Sequence, residues 1–74
     1  MNFNEIIRTL REDKDLNQTE VGKALKMTQR KISRMETGDA EPKIEDIKQL
    51  CIFYNVSADY ILGFTNEKKP LPKQ

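Results

Sequence analysis

One stretch of the sequence, residues 17–38, is NQTEVGKALKMTQRKISRMETG, and it carries an unusual concentration of positive charge. Five cations fall within twelve consecutive residues: Lys23, Lys26, Arg30, Lys31 and Arg34. Residues 21–35 contain no acid, although the whole chain of 74 residues has 13 Lys+Arg against 12 Asp+Glu and a net charge of only +1. The positive charge is therefore a local property, which indicates a local ligand.

Residues suited to helix ends divide this stretch into two predicted helices. Asn17, with Glu20 three residues later, has the spacing of a capping box. Thr28 is a good N-cap for the second helix, and Gly38 suits a left-handed residue that ends it. About three residues separate the two helices, so the chain must turn a sharp corner between them.

The apolar and small residues of the two helices have the spacing of a helix-turn-helix. They are Val21, Gly22, Leu25, Met27, Ile32 and Met35. A glycine inside a helix costs about 1 kcal/mol relative to alanine. We therefore expect another part of the backbone to approach Gly22 closely.

Helical periodicity continues on both sides of this unit, and no strand pattern is present in the sequence. An apolar face from Phe3 to Leu10 predicts a first helix, capped by Asn2 and Glu5. A fourth helix is predicted over residues 44–54, and Ser57 caps a short fifth. The predicted fold is all-α: a compact five-helix bundle of residues 1–64, followed by a flexible C-terminal tail, residues 65–74. The predicted core consists of Phe3, Ile6, Leu10, Val21, Leu25, Ile32, Met35, Ile47, Leu50, Cys51 and Ile61.

Composition argues against several classes of function. The chain has no histidine and one cysteine, Cys51, which lies in an apolar stripe and is interpreted as a core residue. Adjacent acids such as Glu45 and Asp46 are typical of a solvated helix face. We therefore expect no enzyme activity, no metal and no cofactor. A membrane-spanning run and a signal segment are both absent from the sequence, which predicts a cytoplasmic location.

The outward face of the third helix has the chemistry of a DNA-binding surface. With Ile32 and Met35 buried, Gln29, Arg30 and Ser33 must point away from the core, and Arg34 lies one turn beyond Arg30. Arginine can donate two hydrogen bonds to guanine, and glutamine can pair with adenine in the same bidentate way. A helix N-terminus also attracts phosphate.

Residues 2–64 resemble the Cro/repressor-type (XRE-like) helix-turn-helix family, whose members have a lambda-repressor-like DNA-binding domain. The resemblance lies in three segments: LREDKDLNQTEVGKAL, TQRKISRMETGDAEP and YNVSADYILGF. It implies that the third helix enters the major groove and that a symmetric dimer binds a palindromic operator.

The same resemblance assigns roles to individual residues. Candidates for contacting DNA bases are Gln29, Arg30, Ser33 and Arg34, where Ser33 joins the set because it faces outward with the others. Candidates for contacting phosphates are Gln18, Thr28, Lys31, Thr37 and Lys43. Gln18 resembles a family glutamine that also braces the first base-reading side chain. Arg11 and Glu36 resemble a structural ion pair that links helix one to the end of helix three.

This sequence departs from the family pattern at several positions. Lys26 occupies the turn position where glycine is usual, so we expect a positive φ there. Lys43 stands where a serine or threonine N-cap is expected. Asp39 and Glu41 lie in a loop that often supplies phosphate-binding cations.

The sequence thus predicts a sequence-specific, double-stranded DNA-binding transcriptional regulator, a repressor of phage, prophage or bacterial origin that acts as a homodimer. No small-molecule effector domain is evident, and the protein is expected to be associated with the nucleoid when bound. The alternative is an antitoxin or another protein-interaction module with the same fold. Candidates for the dimer surface are Tyr60, Ile61, Phe64 and Leu71, although Tyr60 and Ile61 can equally belong to the core.

Overall fold

The helices begin and end where the capping residues predict. A computed structural model describes residues 1–71, which contain five helices and no strand. The helices are α1 (Phe3–Asp13), α2 (Gln18–Leu25), α3 (Gln29–Thr37), α4 (Ile44–Tyr54) and α5 (Ala58–Ile61). The predicted all-α, five-helix architecture is confirmed.

Side-chain N-caps start four of the helices. The capping residues are Asn2, Asn17, Thr28 and Ser57, each of which accepts a hydrogen bond from the backbone three residues later. In α1 and α2 a glutamate carboxylate accepts the backbone N–H of the cap residue, which completes the capping box. At the end of α3, Gly38 has the predicted left-handed conformation, with φ of 87°. Since these bonds are local, each helix boundary is set by its own residues.

The start of α4 uses a different arrangement. Its N-cap is Lys43, whose side chain has no hydrogen-bond acceptor to offer. Asp46, three residues on, instead accepts the backbone N–H of Lys43 at 2.9 Å. This is one of the two hydrogen bonds of a capping box, and the Lys43 side chain has no acceptor to make the other.

All five helices contribute to a single core. Its buried apolar residues are Ile6, Ile7, Leu10, Val21, Ile32, Met35, Leu50, Cys51, Tyr54, Val56 and Ile61. Three residues predicted for the core, Phe3, Leu25 and Ile47, are only partly buried and pack against its edge. Burial raises the pKa of the Cys51 thiol, as suits a core residue that takes no part in chemistry.

The turn between α2 and α3 brings backbone onto α2. A Cβ atom added to Gly22 would lie 2.7 Å from the carbonyl oxygen of Met27, which explains the glycine inside the helix. Lys26 ends α2 with φ of 57° and ψ of 41°, the left-handed conformation predicted for it. These two residues set the corner at which α3 leaves α2.

A buried ion pair ties the end of α3 to α1. Arg11 donates from Nε to Glu36 Oε2 at 2.7 Å and from Nη2 to Glu36 Oε1 at 2.9 Å. The two side chains are only 12% and 5% exposed. A further Arg11 N–H reaches the carbonyl oxygen of Leu16, so the same guanidinium also holds the loop before α2. Burial, followed by the nearby Glu36 carboxylate, raises the pKa of Tyr54 to about 12.

The segment after α5 makes contacts with the bundle up to Leu71. Lys68 lies 3.5 Å from the Asp13 carboxylate, and the N–H of Leu71 donates to Asn55 Oδ1 at 3.0 Å. The predicted flexibility of residues 65–74 stays a prediction, and residues 72–74 lie outside the described residues. Of the candidates for a dimer surface, Ile61 is fully buried in the core, whereas Phe64 is 80% exposed.

We expect Gly22→Ala to lower the melting temperature, although alanine is the better helix former by about 1 kcal/mol. The added methyl group would collide with the Met27 carbonyl, and overpacking of this kind costs about 1–3 kcal/mol. Thermal unfolding monitored by circular dichroism measures the change. Ala24→Gly, at an exposed position of the same helix, isolates the propensity effect. A higher melting temperature for Gly22→Ala would contradict the close approach.

Lys26→Gly is expected to leave stability unchanged or to raise it by up to about 1 kcal/mol. The left-handed conformation costs a residue with a Cβ about 1–2 kcal/mol, and glycine's greater freedom in the unfolded chain offsets part of that gain. Urea denaturation provides the measurement. Lys23→Gly, in the helical part of α2, should lose about 1 kcal/mol. A clear loss at position 26 would show that the turn lies elsewhere.

Arg11→Ala should reduce the free energy of unfolding by about 3–5 kcal/mol, because it leaves a buried carboxylate without its partner. Any loss of DNA binding should then follow the loss of folded protein. Chemical denaturation tests this, with Arg8→Ala as the matched control, since Arg8 forms only an exposed pair with Glu12. An Arg11→Ala variant that keeps its melting temperature and loses only affinity would contradict a structural role for the ion pair.

Candidate nucleic-acid interface

The two faces of α3 have opposite character. Ile32 and Met35 are buried against the rest of the bundle. Gln29, Arg30 and Arg34 are exposed on the other side. Ser33 is half-buried, and its short side chain extends less far from the helix than those of the other three residues. The outward row of α3 therefore consists of Gln29, Arg30 and Arg34, as the spacing predicts, whereas Ser33, also predicted to face outward, is half-buried.

The N-terminal turn of α3 favours anions. Thr28 accepts the N–H of Lys31 at 3.0 Å, and the first turn contains no acidic residue. The unpaired N–H groups of a helix N-terminus carry a partial positive charge. Exposed Arg30 adds a full charge within the same turn, so this end of α3 suits a phosphate or another polyanion.

Gln29 is held by a chain of hydrogen bonds that leads back to the buried ion pair. Its Nε2 donates to Gln18 Oε1 at 2.6 Å, and Gln18 Nε2 donates to Glu36 Oε1 at 3.1 Å. Glu36 is in turn fixed by Arg11. Gln29 keeps its amide oxygen and a second N–H for a ligand, since an amide offers two donors and one acceptor atom. The side chain is thus positioned before any ligand arrives.

Lys31 has a partner that the sequence did not reveal. Its Nζ lies 2.9 Å from Asp46 Oδ1, and this carboxylate also accepts the N–H of Lys43. Burial by itself would raise the pKa of Asp46, but the Lys43 N–H and the Lys31 ammonium outweigh it and hold that pKa below its usual value. Asp46 is therefore a buried anion, and its interpretation as part of a solvated face was wrong. Its position three residues after the N-cap is the signal that could have identified it.

The C-terminal end of α3 is less positive. The Thr37 hydroxyl lies 3.2 Å from the carbonyl oxygen of Arg34 and 3.1 Å from Asp39 Oδ2. The Arg34 guanidinium approaches the backbone oxygen of Asp39 at 3.5 Å. Asp39 therefore lies beside two of the candidate residues, and the positive character of the surface is strongest at the N-terminal end of α3.

The structure brings most of the candidate residues to one side of the bundle. Near the N-terminal end of α3, Gln18 and Gln29 are in direct contact, and Asp46 links Lys31 to Lys43. Thr37 lies at the other end of the same helix. Arg11 and Glu36 are buried beneath the surface of the protein. In residues 1–71 no cluster of metal-ligating side chains is present, and no helix there is long and apolar enough to cross a membrane.

Comparisons with known proteins agree with this geometry. A helix-turn-helix family model matches residues 7–61. The chain is 34% identical over 63 residues to the HTH-type transcriptional activator BcrR of Enterococcus faecalis, an alignment that covers 85% of this chain and 31% of BcrR. It is 37% identical over 54 residues to the cryptic phage CTXphi transcriptional repressor RstR of Vibrio cholerae, covering 73% of this chain and 49% of RstR. The chain thus spans between about a third and a half of the length of these relatives.

A solved structure shares the fold. The P22 c2 repressor, crystallised in complex with synthetic operator 9T, superimposes with a TM-score of 0.78 and 29% sequence identity, over 84% of this chain and 94% of the repressor chain. The named relatives are transcriptional regulators and not enzymes. Together with the family model, these matches show that the chain belongs to the XRE-type helix-turn-helix family of DNA-binding transcriptional regulators.

Proposed function

We propose that this protein is a sequence-specific repressor that binds a palindromic DNA operator as a homodimer, with α3 in the major groove. The observation that carries the proposal is the outward row of α3, in which Gln29 is held in place by Gln18 while Arg30 and Arg34 are exposed. A cytoplasmic location follows from a role on the chromosome or on phage DNA.

Base recognition is assigned to Gln29, Arg30, Ser33 and Arg34. A preorganised amide pays little entropy when it pairs with a base, because its rotamer is already fixed. An adenine would present N6 and N7 to Gln29, and a guanine would present O6 and N7 to either arginine. Each good bidentate pair contributes about 1–3 kcal/mol of discrimination against the wrong base.

Phosphate contacts are assigned to the residues around the N-terminal end of α3 and to the end of that helix. They are Gln18, Thr28, Lys31, Thr37 and Lys43. The helix N-terminus and the nearby cations support this role, since contacts to the DNA backbone set the register of a protein on the duplex. Because the local charge is positive while the net charge is only +1, binding should orient this side of the bundle toward DNA.

The homodimer is proposed from the symmetry of operator sites. Two helix-turn-helix units bind half-sites about one helical turn apart when a two-fold axis relates them. Phe64 is the best-placed of the proposed dimer residues to meet a second copy, since it is 80% exposed in this chain. Repression, in preference to activation, is supported by the names of the RstR and P22 c2 repressors, while BcrR is named an activator.

Selection from a random duplex library at physiological salt tests the proposal. The wild-type protein should enrich a palindrome whose half-sites are about 10 bp apart, centre to centre. Arg30→Ala/Arg34→Ala should lose or relax that motif. Arg8→Ala/Lys14→Ala removes the same two charges from the region of α1, and it should leave the motif unchanged.

Each alternative result has a definite meaning. A single, non-repeated motif would contradict the dimer but retain base recognition by α3. An unchanged motif in Arg30→Ala/Arg34→Ala would contradict base recognition by α3. If the wild-type protein enriches nothing, the positive face is only an electrostatic patch and the proposal fails.

A further inference from the structure

One carboxylate joins the two helices whose N-terminal turns carry candidate phosphate contacts. Asp46 Oδ1 lies 2.9 Å from Lys31 Nζ on α3, and Asp46 Oδ2 accepts the N–H of Lys43 at the start of α4, also at 2.9 Å. The Asp46 side chain is 7% exposed, whereas Lys31 is 41% exposed. The acid is thus inside the protein, and the ammonium it holds is at the surface.

Little else connects α3 to α4. The main packing partners of α3 are α1 and α2, whereas α4 packs against α2 and α5. The only apolar side chains in the loop between α3 and α4 are those of Ala40 and Pro42, which are small and half-buried. The ion pair between Asp46 and Lys31 therefore helps to set where the start of α4 lies relative to α3.

Lys31 also retains donors for a ligand. An ammonium group has three N–H donors, and Asp46 takes one of them. Lys43 uses its backbone N–H to bond Asp46, and its side chain is exposed. One carboxylate therefore constrains two cationic residues without removing either from the surface.

We propose that Asp46 is a positioning residue for DNA binding: it holds the Lys31 ammonium of α3 and the Lys43 end of α4 in a fixed relative position. Lys31 and Lys43 would then contact phosphates of one DNA strand, while the outward row of α3 contacts the bases. This inference rests on the proposed function, because it requires that α3 face the duplex.

The charge of Asp46 makes the proposal testable by the sign of an effect. A carboxylate close to DNA repels phosphate, so an acid with only an electrostatic influence would weaken binding and its removal would strengthen it. A positioning acid has the opposite effect, because loss of its charge releases the Lys31 ammonium. Asp46→Asn is suitable, since asparagine keeps an oxygen that can accept the Lys43 N–H.

The experiment measures the affinity of the wild-type protein and of Asp46→Asn for the duplex obtained by selection, over a series of salt concentrations. We expect Asp46→Asn to bind about tenfold more weakly, comparable to the loss of one charge-assisted hydrogen bond. The negative slope of log K against log salt should become shallower by about 0.9, the value for one lost phosphate contact. Circular dichroism establishes that the variant is folded at the assay temperature.

Glu45→Gln is the matched control. Glu45 is the neighbouring acid in the same helical turn, its side chain is 70% exposed, and its ionic contact is with Lys48 at 4.0 Å. It should bind DNA as tightly as the wild type or more tightly. If Asp46→Asn behaves like Glu45→Gln, the positioning role is overturned and Asp46 is only a nearby negative charge.

A double-mutant cycle with Lys31→Gln tests whether Asp46 acts through Lys31. The double variant should lose no more affinity, and no more salt slope, than the weaker-binding single variant. Additive losses would overturn the proposal, because they would mean that Asp46 contributes to DNA binding independently of Lys31. Should Asp46→Asn fail to fold, Asp46→Glu replaces it: the charge is kept, so weaker binding supports positioning and unchanged binding contradicts it.

Arg30→Ala/Arg34→Ala separates this inference from the proposed function. If that variant also binds like the wild type, α3 does not read the duplex and the proposed function fails. If it loses binding while Asp46→Asn does not, only the role of Asp46 is refuted.

Discussion

The buried pair between Arg11 and Glu36 connects the fold of this protein to its candidate interface. Two hydrogen bonds of 2.7 and 2.9 Å fix the Glu36 carboxylate, and that carboxylate accepts a third from Gln18. Gln18 in turn holds Gln29 on the outward side of α3. A charge pair inside the bundle therefore determines the conformation of a side chain at the surface. Since buried ion pairs contribute little net stability compared with apolar packing, a role in orientation is a reasonable physical explanation for its presence here.

Acidic and basic residues of this chain have different structural roles and positions, so a net charge of +1 is compatible with a strongly positive stretch. Several acids are engaged within the protein: Glu5 and Glu20 in capping boxes, Glu36 with Arg11, and Asp46 with Lys31. By contrast, Arg30 forms no ion pair with any residue of the described range 1–71. These four acids support the fold, whereas Arg30 remains available to a ligand.

Features set by local sequence could be predicted from the residues themselves, whereas the distant contacts that were predicted, such as Arg11 with Glu36, came from the family resemblance. The caps at Asn17 and Thr28 depend on residues close by in the chain, the left-handed Lys26 was expected from the turn position of the family, and the structure has all three. Asp46 pairs with Lys31, fifteen residues away, which no periodicity reveals, and its position three residues after Lys43 was the one local signal. Val56 is fully buried although it lies between α4 and α5, where no helical repeat marks it. Leu25 and Ile47 show the opposite error, since both were predicted for the core but are only partly buried. For the interface, burial of the opposite face was enough to predict an outward row, whereas the role of each residue in that row stays a prediction.

Gln29 is held by hydrogen bonds from within the protein, whereas the two arginines of α3 are not part of that chain, and this difference has an evolutionary consequence. Gln29 belongs to a hydrogen-bonded chain, so a substitution there also disturbs Gln18 and the carboxylate behind it. Arg30 is exposed and outside that chain, and substitutions at such positions usually change stability by no more than about 0.5 kcal/mol. If Arg30 reads a base as proposed, a lineage of such proteins can exchange the residue at position 30 and acquire new target sites while the scaffold stays intact. Recognition and fold could then diverge separately, because they would depend on different side chains of one helix.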